Sequence, residues 1–377
     1  MDSELSVRIV EDDADFQALE GEWNALWSAC KGARLSQGFS WCRTAWTVCN
    51  APFGRSLYLV TARRGSRLVG IWPLVRQPSR RGGLGDTATL LSRPGYSFSL
   101  VLIDPSETGA AVVDAMIAGI GHDRRVSVVE APWTPDSSDL ARSLGGRPGL
   151  FRRGEMRMSW VDWSDVDDYD AYLRRNLSGK HLGNYRRLRR KLSERGDLRF
   201  VDVTEPEALR RGNAWLYRTK IAWMEDQKGH VRTEMDQVAE DFAATYAATG
   251  SDAANFKLYL LELDGKPVSG VQASIGNQIY ELNIITYDPE YSEYSAGRLA
   301  VEECVRMAYE MKMPVDMRVG YESWKNDWTN REGLAVSFEL LLDWRGHVRY
   351  RASRIRTRLG EARDRVLARM RRMPVEP

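Results

Sequence analysis

The stretch at residues 278–326 limits the possible folds more than any other part of the chain. Its first ten residues, QIYELNIITY, are aromatic and β-branched, and they predict a strand that Asp288-Pro289 ends. Ser295 then begins a helix with an apolar stripe at helical spacing, and Pro314 ends that helix. Residues 315–319 predict another strand. Interleaved strands and helices of this kind, which also occur earlier in the chain, predict an α/β architecture.

The start of the predicted helix, Ser295-Ala296-Gly297-Arg298, has the composition of a pyrophosphate-binding site. The first N–H groups of a helix have no internal partner and point toward an anion. Glycine lets a phosphate approach the main chain, and Arg298 adds a charged donor. We therefore predict that Ser295, Ala296, Gly297 and Arg298 bind a cofactor. The alternative is an ordinary helix start capped by Ser295.

This stretch resembles the GNAT-type acetyltransferase domain of the CelD-like proteins of bacterial exopolysaccharide and cellulose biosynthesis, a family related to the Fem-type aminoacyl transferases. The family signature combines an aromatic strand, a Ser-Pro-Gly helix start, an Asp-bearing strand and Gly-x-x-x-Tyr-Lys-x-x-Trp. The corresponding residues here are Ser295-Ala296-Gly297, Asp316, Gly320, Trp324-Lys325 and Trp328. Ala296 replaces the usual proline and Trp324 replaces the usual tyrosine, so a rigid turn and a phenol of the family are missing.

An internal repeat agrees with the tandem GNAT fold that the resemblance implies. Two predicted hairpins share their spacing with one residue of slippage: Leu57-Tyr58-Leu59, Gly65 and Gly70 correspond to Leu258-Tyr259-Leu260, Gly265 and Gly270. Shared turn chemistry by chance is the alternative. We predict an α/β (α+β) chain with a degenerate GNAT-like domain at 1–162, a GNAT acyltransferase domain at 163–344 and an Arg-rich helical tail at 345–377. Each domain is expected to be a mixed sheet flanked by helices.

The resemblance implies acyl transfer from acetyl-CoA to an amine, and four side chains are candidates for the chemistry. Glu281 interrupts an apolar strand and is predicted to act as the base, with an ion pair as the alternative. Asp316 is predicted to orient the acceptor, unless it pairs with Arg318 on the same face. Lys325 matches the lysine that stabilises the reacting acyl group in Fem-type relatives. Tyr321 is predicted to protonate the leaving thiolate, and exposed loop positions are the alternatives for both.

Three further residues are predicted to bind the acceptor substrate. Lys220 and Trp223 match a family motif and share one helix face, because they are three residues apart. Trp324 keeps an aromatic ring in the signature loop. Packing of the aromatic rings around a snorkelling lysine is the alternative.

Arginine is concentrated in two helical segments. Residues 185–191 belong to a helix whose apolar positions predict a buried face and a solvated basic face: Leu177, Leu182, Tyr185, Leu188 and Leu192. The segment Arg345–Arg372 prefers arginine to lysine, which favours bidentate contacts with phosphates. Its candidate partners are cyclic-di-GMP, an anionic membrane surface or nucleic acid, without sequence-specific DNA binding.

Composition and cysteine usage restrict the compartment. The chain has 377 residues and a net charge of +2, and it contains no apolar run long enough for a membrane span. Its four cysteines lack CxxC spacing and are predicted to be free thiols in a reducing compartment. The four histidines are scattered, so no metal is expected. We predict a cytoplasmic protein, at most peripheral to the inner membrane.

Three functions remain open at the level of sequence. The first is acetyl transfer from acetyl-CoA to an amino sugar or similar precursor of surface polysaccharide, with a small-molecule or lipid-linked sugar acceptor. The second is Fem-like aminoacyl transfer from charged tRNA, ranked lower because no long coiled-coil insertion is present. The third is a catalytically degenerate GNAT protein that senses a nucleotide such as cyclic-di-GMP.

Overall fold

The computed structural model describes residues 4–79, 84–92, 98–177 and 179–355, and within them thirteen strands form one sheet. The strands are β1 Leu5–Val10, β2 Ser56–Arg64, β3 Arg67–Gln77, β4 Asp86–Leu90, β5 Leu102–Ile103, β6 Val126–Pro135, β7 Leu150–Val161, β8 Leu198–Asp202, β9 Phe256–Leu263, β10 Lys266–Gly276, β11 Ile279–Tyr287, β12 Val315–Val319 and β13 Arg331–Leu341. The helices are α1 Asp13–Ala18, α2 Glu20–Ala29, α3 Phe39–Thr44, α4 Gly109–His122, α5 Asp139–Leu144, α6 Tyr169–Asn176, α7 Gly179–Ser193, α8 Pro206–Lys228, α9 Glu234–Thr249 and α10 Ala296–Glu310. Residues 344–355 are also helical, and we call them the C-terminal helix.

The sheet is built from two halves with the same plan, an N-terminal half that ends with β7 and a C-terminal half that begins with α6. Its strand order is β1-β2-β3-β4-β6-β13-β7-β12-β11-β10-β9-β8, with β5 beside β3. In each half four antiparallel strands lead to one parallel pair, β4 with β6 and β11 with β12. The halves exchange their last strands, because β13 lies between β6 and β7, and β7 pairs with β12. The predicted mixed α/β sheet flanked by helices is confirmed.

The helices cover both faces of the sheet. One core cluster is common to the two halves and joins α2 and α3 to α8 and α9. Within it the Trp41 ring lies 4.7 Å from the ring of Phe242. On the opposite face, separate clusters form under α4 and under α10. The predicted domain boundary at residue 162 lies directly after β7. One core and one sheet extend across both halves, so this boundary does not separate two sheets. The domain boundaries therefore stay a prediction.

The two repeated hairpins occupy matching places, β2–β3 in one half and β9–β10 in the other. Tyr58 packs in the cluster with α4, and Tyr259 packs in the cluster with α10. The glycines do not match in the same way. A Cβ on Gly70 would lie 2.7 Å from Val112 of α4, whereas one on Gly270 would lie 3.0 Å from Trp215 of α8. The two hairpins differ by a slip of one residue, and such a slip moves a side-chain position to the other face of the strand. Gly70 and Gly270 therefore allow close packing of helices on opposite faces of the sheet.

Several predicted elements differ from the structure. The strands β1 and β7 were not predicted; β7 carries three charged residues in its first half and is held by long-range ladders to β13 and β12. The strand β5 is only two residues long. The five positions predicted for the buried face around α7 are all buried. The predicted tail after residue 355 lies outside the described residues. In the described part of the chain, no helix has both the length and the apolar character needed to cross a membrane.

Candidate functional site

The parallel strands β11 and β12 separate inside the sheet. They pair only at Tyr280 with Val315 and at Glu281 with Asp316, although β11 continues to Tyr287. Beyond the last pair, the facing main-chain groups have no strand partner among the described residues. Buried main-chain groups need hydrogen bonds, so side chains or a ligand must satisfy them. We call the space between residues 282–287 and 317–319 the β11–β12 gap.

The end of β12 has an irregular backbone that accounts for the separation. Arg318 has a φ of 64°, in the left-handed region that few side chains adopt. The register of β12 against β7 shifts between Asp316 and Val319. Such a bulge bends and twists a strand. Gly320 follows with a φ of 139°, which suits glycine.

Four charged side chains close the narrow end of the gap. The Arg34 guanidinium contacts the carboxylates of Glu281 and Asp316, with Nη2 2.5 Å from the Asp316 Oδ2. Arg318 Nη1 lies 2.5 Å from Glu281 Oε1, and its main-chain N–H donates to Asp316. Phe98 covers the two guanidinium groups, with its ring centre 4.3 Å and 4.6 Å from their central carbons. All four side chains are buried, and their formal charges balance.

Main-chain contacts between the halves hold Arg34 at this point. Gly32 and Ala33 exchange two hydrogen bonds of 2.7 Å with Asn277, at the turn between β10 and β11. Trp27 Nε1 donates to the Arg34 carbonyl over 2.8 Å. Burial alone would lower the pKa of Arg34, but Asp316 and Glu281 raise it overall. Burial likewise would raise the pKa of Asp316, yet Arg34 and Arg318 hold it below its usual range. The pair is therefore ionised.

This arrangement favours the structural alternatives for the two predicted carboxylates. Glu281 is 1% exposed, and its second oxygen accepts a hydrogen bond from Ser274. Asp316 pairs with the Arg34 guanidinium and accepts a hydrogen bond from the main-chain N–H of Arg318. Both carboxylates are thus committed to buried partners. Their predicted roles as base and orienting acid stay predictions.

The wide end of the gap holds two lysines, one against each strand. Lys220 Nζ, on α8, donates to the Ile285 carbonyl of β11 over 3.2 Å. Lys325 Nζ donates to the Val319 carbonyl of β12 over 2.8 Å and lies 3.1 Å from Glu322. A Cβ at Gly320 would meet the Glu322 carboxylate first and would lie 2.9 Å from the Lys325 Nζ, so glycine makes room for this ion pair. Lys325 is buried, which overturns its alternative as an exposed loop residue.

The two ammonium groups influence each other. Burial lowers the pKa of Lys325, and Glu322 offsets part of that shift. Burial also lowers the pKa of Lys220; Glu322 offsets part of that shift, and the neighbouring charges of Lys228 and Lys325 add to it. The two partly desolvated cations share one carboxylate, Glu322, so the gap keeps a net positive charge that attracts an anion.

The three aromatic residues predicted at the site lie in different positions relative to Lys220 and Lys325. The Lys220 ammonium lies 4.5 Å from the ring centre of Trp223, so the two residues share a helix face as predicted. Trp324 packs partly buried against the core under α10. Tyr321 is 64% exposed, and its hydroxyl donates to the Glu155 carbonyl of β7 over 3.5 Å. Its exposure agrees with the structural alternative, and its role as proton donor stays a prediction.

The start of α10 has the main-chain features of an anion site. Ser295 has a φ of 52° and provides no side-chain cap, so a serine-capped start is excluded. Its carbonyl accepts from Arg298 and Leu299. The N–H groups of Ala296 and Gly297 have no hydrogen-bond partner in the described part of the chain. Both residues are buried, however, and the Tyr287 ring packs beside Gly297.

Arg298 is engaged within the protein. Its Nη1 donates to the Tyr185 hydroxyl over 3.2 Å and lies 3.4 Å from the Asp327 carboxylate. The matching helix of the N-terminal half differs more strongly. A Cβ on Gly109, at the start of α4, would lie 2.3 Å from the carboxylate carbon of Asp139. A protein carboxylate thus occupies the start of α4, whereas a Cβ on Gly297 of α10 would meet the Tyr287 side chain and no carboxylate.

The structure therefore brings together Lys220, Trp223 and Lys325, places Glu281 and Asp316 at the opposite end of the gap, and directs Tyr321 away. Two further charged residues at the gap, Glu322 and Arg34, were not predicted from the sequence. Glu322 had a local signal, since it lies three residues before Lys325 in GYESWK. Arg34 had none, because its partners lie in the other half. Among the described residues no cluster of three or more His, Cys, Asp or Glu side chains is arranged to hold a metal.

Comparison with known proteins bears on this site directly. Residues 179–326 match the profile of the acetyltransferase (GNAT) domain family, and this range contains β11, α10, β12 and both lysines. The chain carries a GNAT-type acetyltransferase domain. No curated protein sequence matches the chain.

Solved structures extend the similarity to nearly the whole length of the chain. FemX has a TM-score of 0.59 at 11% identity, over 89% of this chain and 97% of FemX. A conserved protein of unknown function from Bacteroides thetaiotaomicron has a TM-score of 0.54 at 12% identity, over 89% of this chain and 100% of that protein. L-PGS from Bacillus licheniformis has a TM-score of 0.50 at 10% identity, over 92% of this chain and 97% of L-PGS. At such identities the likeness concerns the fold. Membership of the CelD-like family stays a prediction.

Proposed function

We propose that this protein transfers an acetyl group from acetyl-CoA to an amine. The observation that carries the proposal is the pair of ammonium groups, buried Lys325 and half-buried Lys220, which donate to carbonyls on the facing strands of the β11–β12 gap. Aminolysis of a thioester develops negative charge on the carbonyl oxygen. Fixed positive charge in a water-poor site stabilises that oxygen most.

Each of the two lysines has a separate part in this scheme. Lys325 is the more buried cation and is held on β12, so it is the residue we assign to the developing oxyanion. Lys220 lies over the Trp223 ring, and we assign it to binding of the acceptor. Its positive charge would pair with an acidic group of the acceptor. Glu322 acts as the counter-ion of Lys325 until substrate arrives. Positioning of the amine beside the thioester supplies much of the rate, so no dedicated base is required.

The start of α10 is assigned to the coenzyme pyrophosphate. Its support is the unpartnered N–H groups of Ala296 and Gly297, together with Ser295 and Arg298 beside them. Arg298 would exchange Tyr185 and Asp327 for phosphate oxygens. We expect one coenzyme per chain, because Asp139 fills the corresponding place at α4. Anionic ligands and an internal carboxylate compete for the same positive helix end.

For the acceptor we propose an amino sugar or a similar precursor of surface polysaccharide, either free or lipid-linked. The sequence resemblance to CelD-like proteins supports this choice, and Trp223 and Trp324 offer aromatic surfaces for a sugar ring. The predicted cytoplasmic location agrees with the coenzyme.

Fem-like transfer from aminoacyl-tRNA is the second candidate. At the start of α10, Ala296 and Gly297 are buried and Arg298 is already paired. A donor that does not place a pyrophosphate there, such as aminoacyl-tRNA, is compatible with these contacts. The same lysine pair would then stabilise an ester rather than a thioester. A third outcome is a degenerate protein that binds only a nucleotide such as cyclic-di-GMP.

Calorimetric titration of the purified chain with acetyl-CoA, charged tRNA and cyclic-di-GMP separates these functions. The proposal predicts one acetyl-CoA site, lost in Gly297→Trp and weakened about tenfold in Arg298→Ala, the gentler change. Arg190→Ala, an exposed arginine of α7, is the matched control and should bind normally. Binding of charged tRNA alone would support the second candidate, and binding of the dinucleotide alone would support the third.

A further inference from the structure

The C-terminal helix is held to the N-terminal half by one of its faces. Gly346 faces the Ser127 carbonyl, where a Cβ would approach to 2.4 Å. Arg349 donates to the Gly85 carbonyl over 2.8 Å and to the Thr87 hydroxyl over 2.7 Å. The Tyr350 ring stacks on Phe151 with centres 3.9 Å apart. These contacts fix the orientation of the helix, and they engage some of the arginines that the sequence assigned to outside partners.

The opposite face presents a row of large apolar side chains to solvent. Trp344 is 68% exposed, Val348 43% and Ile355 60%. At about 100° per residue, these three positions fall within about 40° of one another around the helix. Arg351 projects from the same face, and Arg354 is exposed beside it. We call this the outer face. An exposed row of this kind on a helix fixed in place indicates an interaction surface.

The charge around the outer face is strongly positive. The described helix, residues 344–355, contains four arginines and no acidic residue. Because the whole chain has a net charge of +2, the remainder is net acidic. At the start of the helix, Arg345 donates to the Arg124 carbonyl over 2.5 Å, which brings the exposed Arg124 to the same end. Positive charge and apolar surface thus coincide in one place.

We propose that the outer face lies on an anionic lipid surface. Trp344, Val348 and Ile355 would enter the headgroup region, and Arg351 and Arg354 would contact lipid phosphates. Tryptophan and aliphatic side chains beside arginine are the composition of helices that lie in the interfacial plane. Each basic residue near an anionic bilayer adds to the attraction. This inference does not depend on the acyl-transfer proposal.

Other occupants fit less well. In a symmetric pair of chains the same patch meets itself, so Arg351 would approach the basic face of the second copy. A soluble nucleotide would use the arginines but would leave the three apolar side chains in water. A lipid surface satisfies both features at once.

Cosedimentation of the full chain with vesicles tests the proposal. We expect binding to vesicles of phosphatidylcholine with phosphatidylglycerol, and much weaker binding to phosphatidylcholine alone. The triple variant Trp344→Ser, Val348→Ser, Ile355→Ser should lose at least about tenfold in affinity. Arg351→Gln with Arg354→Gln should lose a similar amount, and added salt should weaken the wild type. Val231→Ser removes an apolar side chain that is 77% exposed elsewhere, and it should bind like the wild type.

Three results would overturn the proposal. One is failure of the wild-type chain to bind anionic vesicles at low salt. Another is unchanged vesicle binding by the triple variant while its far-ultraviolet circular dichroism and thermal unfolding match the wild type. The third is a dimer in sedimentation velocity that the triple variant converts to a monomer, which would assign the outer face to a second copy.

Discussion

The guanidinium of Arg34 lies 2.5 Å from the carboxylate of Asp316, and this contact joins the two halves of the chain beneath the β11–β12 gap. Arg34 also contacts Glu281, so one buried cation serves two buried anions. A buried charge left without a partner is strongly destabilising, which makes the contact a test of how the halves depend on each other.

Arg34→Ala should lower the free energy of unfolding by about 3–5 kcal/mol, because it leaves Asp316 buried without its guanidinium partner. Urea unfolding at neutral pH measures the change. Arg43→Ala breaks the partly exposed pair with Asp13 and should cost only about 0–1 kcal/mol. Equal losses in the two variants would show that the buried network does not hold the halves together.

The same network should make stability sensitive to acid. The pKa of Asp316 is lowered in the folded chain, so the folded carboxylate gives up its proton more readily than the unfolded one. Its contribution is complete above the unfolded pKa of about 3.9 and is lost as pH falls through the lower folded pKa. Chemical unfolding across this range should show a steeper acid loss for the wild type than for Asp316→Asn. Parallel curves would contradict the prediction.

Lys325→Ala should lower kcat about 10²–10³-fold and leave acetyl-CoA binding nearly unchanged, because the ammonium acts on charge that forms only during transfer. Steady-state kinetics and calorimetry on the same preparations measure the two quantities. Lys312→Ala changes a lysine at the far end of α10 and serves as the control. Activity equal to the wild type would remove Lys325 from the site.

The alkaline side of the activity profile should report the charge of Lys325. Burial lowers the pKa of this lysine and Glu322 partly restores it, so activity is present below that pKa and is lost above it. Glu322→Gln removes the restoring charge and should move the loss of activity to lower pH. Glu194→Gln, which breaks an exposed pair with Arg190, should leave the profile in place. A shift to higher pH in Glu322→Gln would contradict the assignment.

Gly320→Ala should both destabilise the chain and reduce turnover. Its φ of 139° is strained for alanine, at a cost of about 1–3 kcal/mol. The added Cβ would also clash with the Glu322 carboxylate and lie 2.9 Å from the Lys325 Nζ, so it would disturb this ion pair. Gly183→Ala, in α7 with open space around it, should be neutral or stabilising. Thermal unfolding and activity assays check both variants, and unaltered activity in Gly320→Ala would separate the loop from catalysis.

The local elements of this fold follow from the sequence because periodicity and turn chemistry act over short distances. The strand at β11, the start of α10 at Ala296 and the hairpins at Gly65 and Gly265 were predictable on that basis. The signature loop also identified Lys325 before any fold was known. By contrast, β7 was not predictable, because its first half is charged and its pairing partners are distant.

The sequence by itself determined that this chain has interleaved strands and helices, a repeated hairpin and a GNAT-like signature with a loop lysine. Only the tertiary structure decided that Glu281 and Asp316 are paired by Arg34, that Lys220 and Lys325 face each other across the gap, and that Asp139 fills the start of α4. The physical reason is that a charged side chain has no preferred partner along the chain. Burial gives it one, and burial depends on which distant segments the sheet brings together.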